Sequence, residues 1–298
     1  MTGDAMAAFL ERIGHRVVRS DSCSWYEQGW RFFAALPHAR PISPDRAELR
    51  RVFRETRCFG VRFVSGPDGP GRPSYALILD DRAYGFDSLS ANSRSKVRRG
   101  LKECEVRRLD PAFARAHGRA ANEETLRRIR FAHDVYDWDR YWAAVAATPD
   151  VEVWGALREG QLLAYLVAVL VEGSAELLIA RSADGGLRHY PNNALLFTVV
   201  RDLLGRSDIE RIVFGLESVE PVAGVDTFKE SMGFVRRPIR QRIVLHPLAE
   251  PLARVRATAH IARALARRPG AGTFWRKLEG VLVFHGSLDP RADSEQMA

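Results

Sequence analysis

The middle of the chain alternates between apolar runs of strand length and a run with helical spacing. Residues 151–157 and 175–181 are strand-like, and 162–171 is apolar almost throughout, which predicts a strand buried on both faces. The connections carry Gly160 and Gly173, which suit tight reversals. In 194–204, Ala194, Phe197, Leu203 and Leu204 recur at the spacing of a helix packed on a sheet. Residues 209–215 predict a further strand, 225–232 a short helix closed by Gly233, and 241–245 a last strand. A strand meander followed by alternating helices and strands predicts a mixed sheet with helices laid on it.

The flanks carry weaker versions of the same signals. Ser43-Pro44-Asp45 predicts a helix start running to about Glu55. Residues 58–64 and 74–79 are strand-like and are expected to be neighbours across the turn-rich GPDGPGRP. Asn92 or Ser93 is expected to cap the basic helix SRSKVRRGLKEC, with the short strand EVRRL after it, and helices are expected at 122–133 and 138–147. Residues 247–268 predict one helix. Leu248, Leu252, Val255, Ala259, Ala262 and Ala266 form its apolar stripe, and Arg256, His260, Arg263 and Arg267 a basic stripe beside it. Packing on the sheet is the expected use of that stripe, because its Ala-rich face is shallow for a membrane. PGAG then breaks the helix, and the tail after Gly286 is expected to fray.

Composition narrows the class. The 298 residues are 46% hydrophobic and 28% charged, which is globular, and no apolar run approaches the roughly 20 residues of a bilayer span. The first residues lack the continuous apolar segment of a signal peptide, so a cytoplasmic protein without a membrane span is expected. Cys23, Cys58 and Cys104 form no metal or disulfide spacing, and the eight histidines form no metal motif, so no metal is expected. The net charge of +8, almost all arginine, fits either a solvated basic surface or an anionic partner. Oligomeric state is left open.

Three segments then carry a resemblance: the basic helix and strand NSRSKVRRGLKECEVRRLD (92–110), YPNNALLFTVVRDLL (190–204) and GVDTFKESMGF (224–234). In this order they resemble the GNAT (Gcn5-related N-acetyltransferase) superfamily, and within it the FemAB/FemX branch, whose members carry two GNAT-like lobes. The resemblance implies an α/β fold: a GNAT-like mixed sheet flanked by helices, with a short, degenerate lobe at 1–110, an acyltransferase lobe at 111–246, and a C-terminal helix and tail at 247–298. The usual pyrophosphate loop of GNAT proteins, [Gln/Arg]-x-x-Gly-x-[Gly/Ala], is altered: Arg188 stands in its first position, but Pro191 and Asn193 replace its glycines.

Acyl transfer to an amine requires a polarised carbonyl, a deprotonated amine and a protonated leaving group. By the resemblance, two parallel strands splay near Ile179, Ala180 and Arg181, opposite Phe214, Gly215 and Leu216, and offer backbone N–H groups to the donor. The helix start at Asn192, Asn193 and Ala194, with Arg188 and His189 beside it, is a candidate phosphate site, and either asparagine can equally be a cap. Glu217, directly after a strand, is a candidate proton acceptor or a surface-loop acid. Tyr190 is a candidate general acid or a packing staple. Phe228-Lys229 resembles the family's pair at the donor, which makes Lys229 a candidate to polarise the carbonyl or neutralise phosphate. Arg94, Lys96, Arg98, Arg99 and Lys102 read as a solvated helix or as phosphate contacts to CoA or tRNA.

Three functions follow as expectations. The first is transfer of an acyl group from acetyl-CoA or another acyl-CoA to a small amine or amino-acid-like acceptor. The second is aminoacyl-tRNA-dependent transfer of the FemAB type, which makes tRNA a possible partner. The third is a non-catalytic binding protein on the same fold.

Overall fold

A computed structural model describes residues 1–29, 31–66, 68–129, 137–218, 224–254, 256–266 and 273–285. The first part of the chain forms α1 (Gly3–Arg12), β1 (Val17–Arg19), β2 (Ser24–Glu27), β3 (Phe32–Leu36), α2 (Arg46–Thr56), β4 (Gly60–Ser65) and β5 (Arg72–Leu79). It continues through α3 (Ala91–Glu103), β6 (Glu105–Arg108), α4 (Pro111–His117), α5 (Arg119–Arg128) and α6 (Trp138–Ala146). The meander β7 (Val151–Arg158), β8 (Gln161–Val171) and β9 (Ser174–Ser182) follows, then α7 (Pro191–Leu204), β10 (Arg211–Leu216), α8 (Val225–Ser231) and β11 (Val235–Leu245). Three helices close the sequence: α9 (Glu250–Arg254), α10 (Arg256–Ala266) and α11 (Thr273–His285).

The fold is the expected mixed sheet flanked by helices, and it divides into two compact units that interleave along the chain. One comprises residues 1–14, 76–215 and 222–237, and the other 15–75, 216–221 and 238–298. The lobes drawn at 1–110, 111–246 and 247–298 divide the chain by sequence, whereas these units divide it by packing.

In the first unit the strands run β5-β10-β9-β8-β7-β6. Strands β7, β8 and β9 are antiparallel neighbours, and β10 joins β9 in parallel after the crossover helix α7. Strand β8 is buried along nearly its whole length, as an apolar run of that kind requires, and Val199, Val200 and Leu203 of α7 are fully buried with it. Helix α3 buries only Ser93, Val97 and Gly100, so its bases are left on the outer face. Arg98, Arg99 and Lys102 are exposed, and Arg94 and Lys96 half-buried.

In the second unit the order is β1-β2-β3-β4-β11-β5. Strands β3 and β4 are parallel and joined through α2, whose Val52 and Phe53 pack with Trp25, Phe33 and Phe63. On β11, Ile243 and Leu245 pack with Phe32, Ala253, Ala262, Leu278, Val281 and Leu282, so the C-terminal helices complete this core.

Several expectations need correction. Strands β4 and β5 are not neighbours, because the long turn between them leaves room for β11, which pairs antiparallel with β4 from Arg240↔Ser65 to Leu245↔Gly60. Helix α2 is capped by Asp45, whose carboxylate accepts from Glu48 N–H at 2.7 Å, and α3 by Ser90, which accepts from Ser93 N–H at 3.2 Å. Helix α7 starts at Pro191 rather than 194, since proline is preset for a first helical position. Strand β11 starts at Val235, where its outward arginines hid the strand pattern. Helices α1, α4 and α11 and strands β1–β3 went unpredicted; the strands are short, and α11 lies before the tail expected after Gly286.

The helix expected over 247–268 is two elements, and Leu248 is 82% exposed rather than part of a buried stripe. The side chains of Leu252, Val255, Arg256, Ala259, His260 and Arg267, the PGAG break, residues 130–133 of the expected helix and the tail after Gly286 lie outside the described residues.

Gly100 lets α3 sit directly on the start of α7. A Cβ there would stand 2.6 Å from the Tyr190 carbonyl oxygen and 3.0 Å from the Ala194 methyl. In an open helix Gly→Ala gains up to about 1 kcal/mol. Here Gly100→Ala is expected to lower stability by about 1–3 kcal/mol in urea unfolding, because the obstacle is backbone.

Candidate functional site

Strands β9 and β10 pair in parallel from Arg211↔Ser174 to Val213↔Glu176. Beyond that register β9 continues to Ser182 and β10 to Leu216 without further pairing between them among the described residues. A bulge coincides with the parting: Val167 stands opposite Ile179 and Ala168 opposite Leu177, which leaves Leu178 as the extra residue on β9. Bulges bend a strand and increase its twist, which turns this stretch away from its parallel neighbour. On the β10 side Gly215 takes φ +97°, a left-handed conformation that glycine adopts freely. A seam opens between Ile179, Ala180 and Arg181 on one strand and Phe214 and Gly215 on the other.

Lys229, on α8, reaches this seam. Its ammonium donates to the Phe214 carbonyl at 2.8 Å, lies 4.8 Å from the centre of the Phe214 ring, and stands 3.5 Å from Asp226 Oδ1. The lysine side chain is only 12% exposed, and burial lowers its pKa against the opposing pull of Asp226. Asp226 thus serves Lys229 as well as the first turn of its helix. Phe228 is half-buried beside it. Arg181 points its guanidinium elsewhere, with Nε donating to Asn122 Oδ1 at 2.8 Å. The seam therefore offers backbone groups and one ammonium, a combination suited to a carbonyl oxygen that gains negative charge.

The start of α7 is closed by its own chain. Tyr190 sits at φ 53°, Pro191 has no N–H, and the Ala194 N–H donates to the Tyr190 carbonyl at 3.2 Å. Neither asparagine caps the helix. Asn192 Nδ2 donates to Ser182 Oγ at 3.0 Å, and the buried Asn193 donates to Met232 Sδ at 3.4 Å. In the loop before it, Asp184 pairs with Arg128 and, at 3.6 Å, with Arg127. Arg188 is exposed and donates to His189 at 3.0 Å, while His189 also meets Glu103 at 3.0 Å and Arg158 at 2.6 Å. The Tyr190 hydroxyl accepts from Arg99 at 3.3 Å, and the Arg99 guanidinium lies 4.8 Å from its ring centre.

Glu217 lies in the second unit, in a polar network that also involves Arg62, Ser74 and Gln241. Sequence reasoning did not single out those three. The available signals were one arginine inside the apolar strand 58–64 and one glutamine opening the strand at 241. Among the described residues, no group of three or more His, Cys, Asp or Glu side chains is arranged to hold a metal ion. Among them also, no helix is long and apolar enough to cross a membrane.

A meander, a crossover helix and a parallel strand that parts from its neighbour define a GNAT-like fold. No protein-family profile and no curated protein matches the sequence. Among solved structures, FemX is similar over 83% of this chain and 93% of its own, with TM-score 0.57 and 11% identity. The C-terminal domain of a putative lysylphosphatidylglycerol synthetase from Agrobacterium fabrum is similar over 90% of this chain and 94% of its own, with TM-score 0.57 and 14% identity. L-PGS from Bacillus licheniformis is similar over 87% and 96%, with TM-score 0.53 and 14% identity. At such identities the likeness is one of fold.

The depressed pKa of Lys229 gives a test of its burial. Its folded-state value lies below the ordinary 10.5, so between the two the unfolded chain binds more protons and stability rises with pH. The gain in urea stability attributable to Lys229, taken as the wild-type profile minus that of Lys229→Met, is expected to rise as pH climbs toward 10.5. Parallel profiles would mean that the ammonium is not desolvated.

Proposed function

We propose that this protein is an acyl-transfer enzyme that moves an aminoacyl or acyl group from an activated ester to an amine, with the donor carbonyl in the β9–β10 seam. The observation that carries this reading is the Lys229 ammonium held against the Phe214 carbonyl of β10, where β10 has stopped pairing with β9. In the reaction the acceptor nitrogen attacks the acyl carbon, the C–N bond forms and the C–O ester bond breaks. The nitrogen loses a proton and the leaving oxygen gains one. As the carbonyl oxygen becomes an oxyanion, β9 backbone N–H groups and Lys229 hold its charge.

For the donor we favour an aminoacyl ester carried on RNA. A pyrophosphate would need free N–H groups at the start of α7, and that start carries Pro191 and the close pack of α3 at Gly100. The exposed Arg98, Arg99 and Lys102 supply a separate outward-facing set of charges suited to a polyanion. Tyr190, stacked under Arg99, then orients that arginine rather than acting as an acid. The name of one neighbour, a lysylphosphatidylglycerol synthetase, fits aminoacyl transfer. The second reading keeps acetyl-CoA or another acyl-CoA as donor, with the Asn192 and Asn193 N–H groups contacting its phosphate, and rests on the absence of a side-chain cap on α7.

Filter binding of bulk tRNA should be salt-sensitive, and Arg98→Ala/Arg99→Ala should reduce the salt slope by about 1.4–1.8, from about 0.7–0.9 per phosphate contact. With labelled aminoacyl-tRNA and a mixed amine panel, Lys229→Ala should lower transfer by about 10²–10³-fold while tRNA binding persists. A full-rate Lys229→Ala enzyme contradicts the mechanism. Turnover of acyl-CoA, insensitive to Arg98 and Arg99, establishes the second reading instead.

A further inference from the structure

The network around Glu217 has a direction that its chemistry fixes. A guanidinium can only donate, so the Arg62 Nε contact at 2.6 Å identifies the Gln241 atom it touches as the amide oxygen. The amide nitrogen of Gln241 must then face Ser74, to whose Oγ it donates at 2.7 Å. With its oxygen receiving that hydrogen, the Ser74 hydroxyl sends its own to Glu217 Oε2 at 2.6 Å. Arg62 Nη2 at 2.8 Å and Gln241 Nε2 at 3.2 Å both also donate to the Glu217 carbonyl oxygen, while the Glu217 N–H donates to the Tyr75 carbonyl at 2.8 Å. Gln241 is 0% exposed, so its amide has no solvent-facing orientation to swing into.

The side-chain hydrogen bonds of this relay run toward Glu217, whose Oε2 is thereby required as an acceptor. Its backbone and Oε2 are fixed. Its Oε1 accepts no hydrogen bond among the described residues, and the side chain is half-buried. A carboxylate oxygen held rigid and without a hydrogen-bond donor has room for one N–H partner. The Arg62 guanidinium is drawn electrostatically to Glu217, while its hydrogen bonds here go to Gln241 and to the Glu217 main chain, which leaves Oε1 open. The arrangement is built for a ligand: a supporting shell locks the one group that touches it.

We propose that Glu217 Oε1, aligned by Ser74, Gln241 and Arg62, is the binding site for a primary ammonium group, that of an amino acid or a similar small amine. The class of ligand follows from the carboxylate alone. That this ammonium belongs to the acyl acceptor rests on the acyl-transfer reading above.

The test uses the full chain without donor, titrated by calorimetry and saturation-transfer NMR with three probes. Glycinamide carries an ammonium without a carboxylate, glycine carries both, and N-acetylglycine carries a carboxylate without an ammonium. Glycinamide and glycine are expected to bind and N-acetylglycine not to. Glu217→Gln, which keeps the shape and the bond to Ser74, should weaken glycinamide by at least about tenfold, the equivalent of one charge-assisted hydrogen bond. If that variant unfolds, Ser74→Ala, which loosens the carboxylate without removing it, should weaken glycinamide several-fold. Equal binding of N-acetylglycine, unchanged affinity in the folded variant, or no binding of either amine at tens of millimolar overturns the site. Amine binding with no transfer from any donor would instead overturn the enzymatic reading and leave this site standing.

Discussion

Strands β9 and β10 stop pairing after Val213 stands opposite Glu176, and the candidate active site is a consequence of that parting. The bulge at Leu178 bends one strand, and the left-handed Gly215 releases the other. The parting leaves the Phe214 carbonyl to be satisfied by something other than a strand, and a buried carbonyl left unpaired would cost about 1–3 kcal/mol. Lys229 satisfies it, and in the proposed reaction a donor carbonyl would share the charge of that ammonium. The same opening therefore creates the oxygen-binding edge and positions the cation beside it.

Holding that lysine is costly. Effective desolvation of a buried cation runs to several kcal/mol, whereas one hydrogen bond from a charged donor returns about 1.5–3 and Asp226, at 3.5 Å, adds a modest attraction. Burial lowers the lysine pKa even with that neighbour, which indicates that desolvation outweighs attraction. A fold keeps such a group where its charge is used, and structural packing of α8 alone would be served by an apolar residue. The second unit shows the same economy at Glu217, where a fully buried glutamine and an arginine whose pKa is pushed down to about 10 by burial serve mainly to orient one carboxylate.

The fold was legible where local pattern and tertiary role agree. Strand β8 is apolar because both its faces are buried, and its turns carry glycine because they reverse tightly, so the meander could be read directly. The N-terminal half of β11 could not, because Arg236, Arg237 and Arg240 interrupt its apolar pattern. Nor could its place between β4 and β5, which is a long-range pairing that no local signal encodes. At the candidate site, Lys229 stands out in the sequence because it sits in a recognisable segment, and its contact with Phe214 appears only in the fold. The closure of the α7 start was half readable: Pro191 stands in the sequence, but the use of Asn192, Asn193 and Asp184 against their own chain depends on partners far away. The relay to Glu217 was hidden for the same reason, since Arg62, Ser74 and Gln241 meet only after the strands pair.

Where a donor carbonyl docks is measured directly by a crystal structure with a non-hydrolysable aminoacyl-adenosine amide. The carbonyl oxygen of the analogue is predicted to lie between residues 177–182 of β9 and Gly215, within hydrogen-bond reach of a β9 backbone N–H and of Lys229 Nζ. An analogue bound elsewhere, with the Lys229 bond to Phe214 undisturbed and the seam unoccupied, would contradict it.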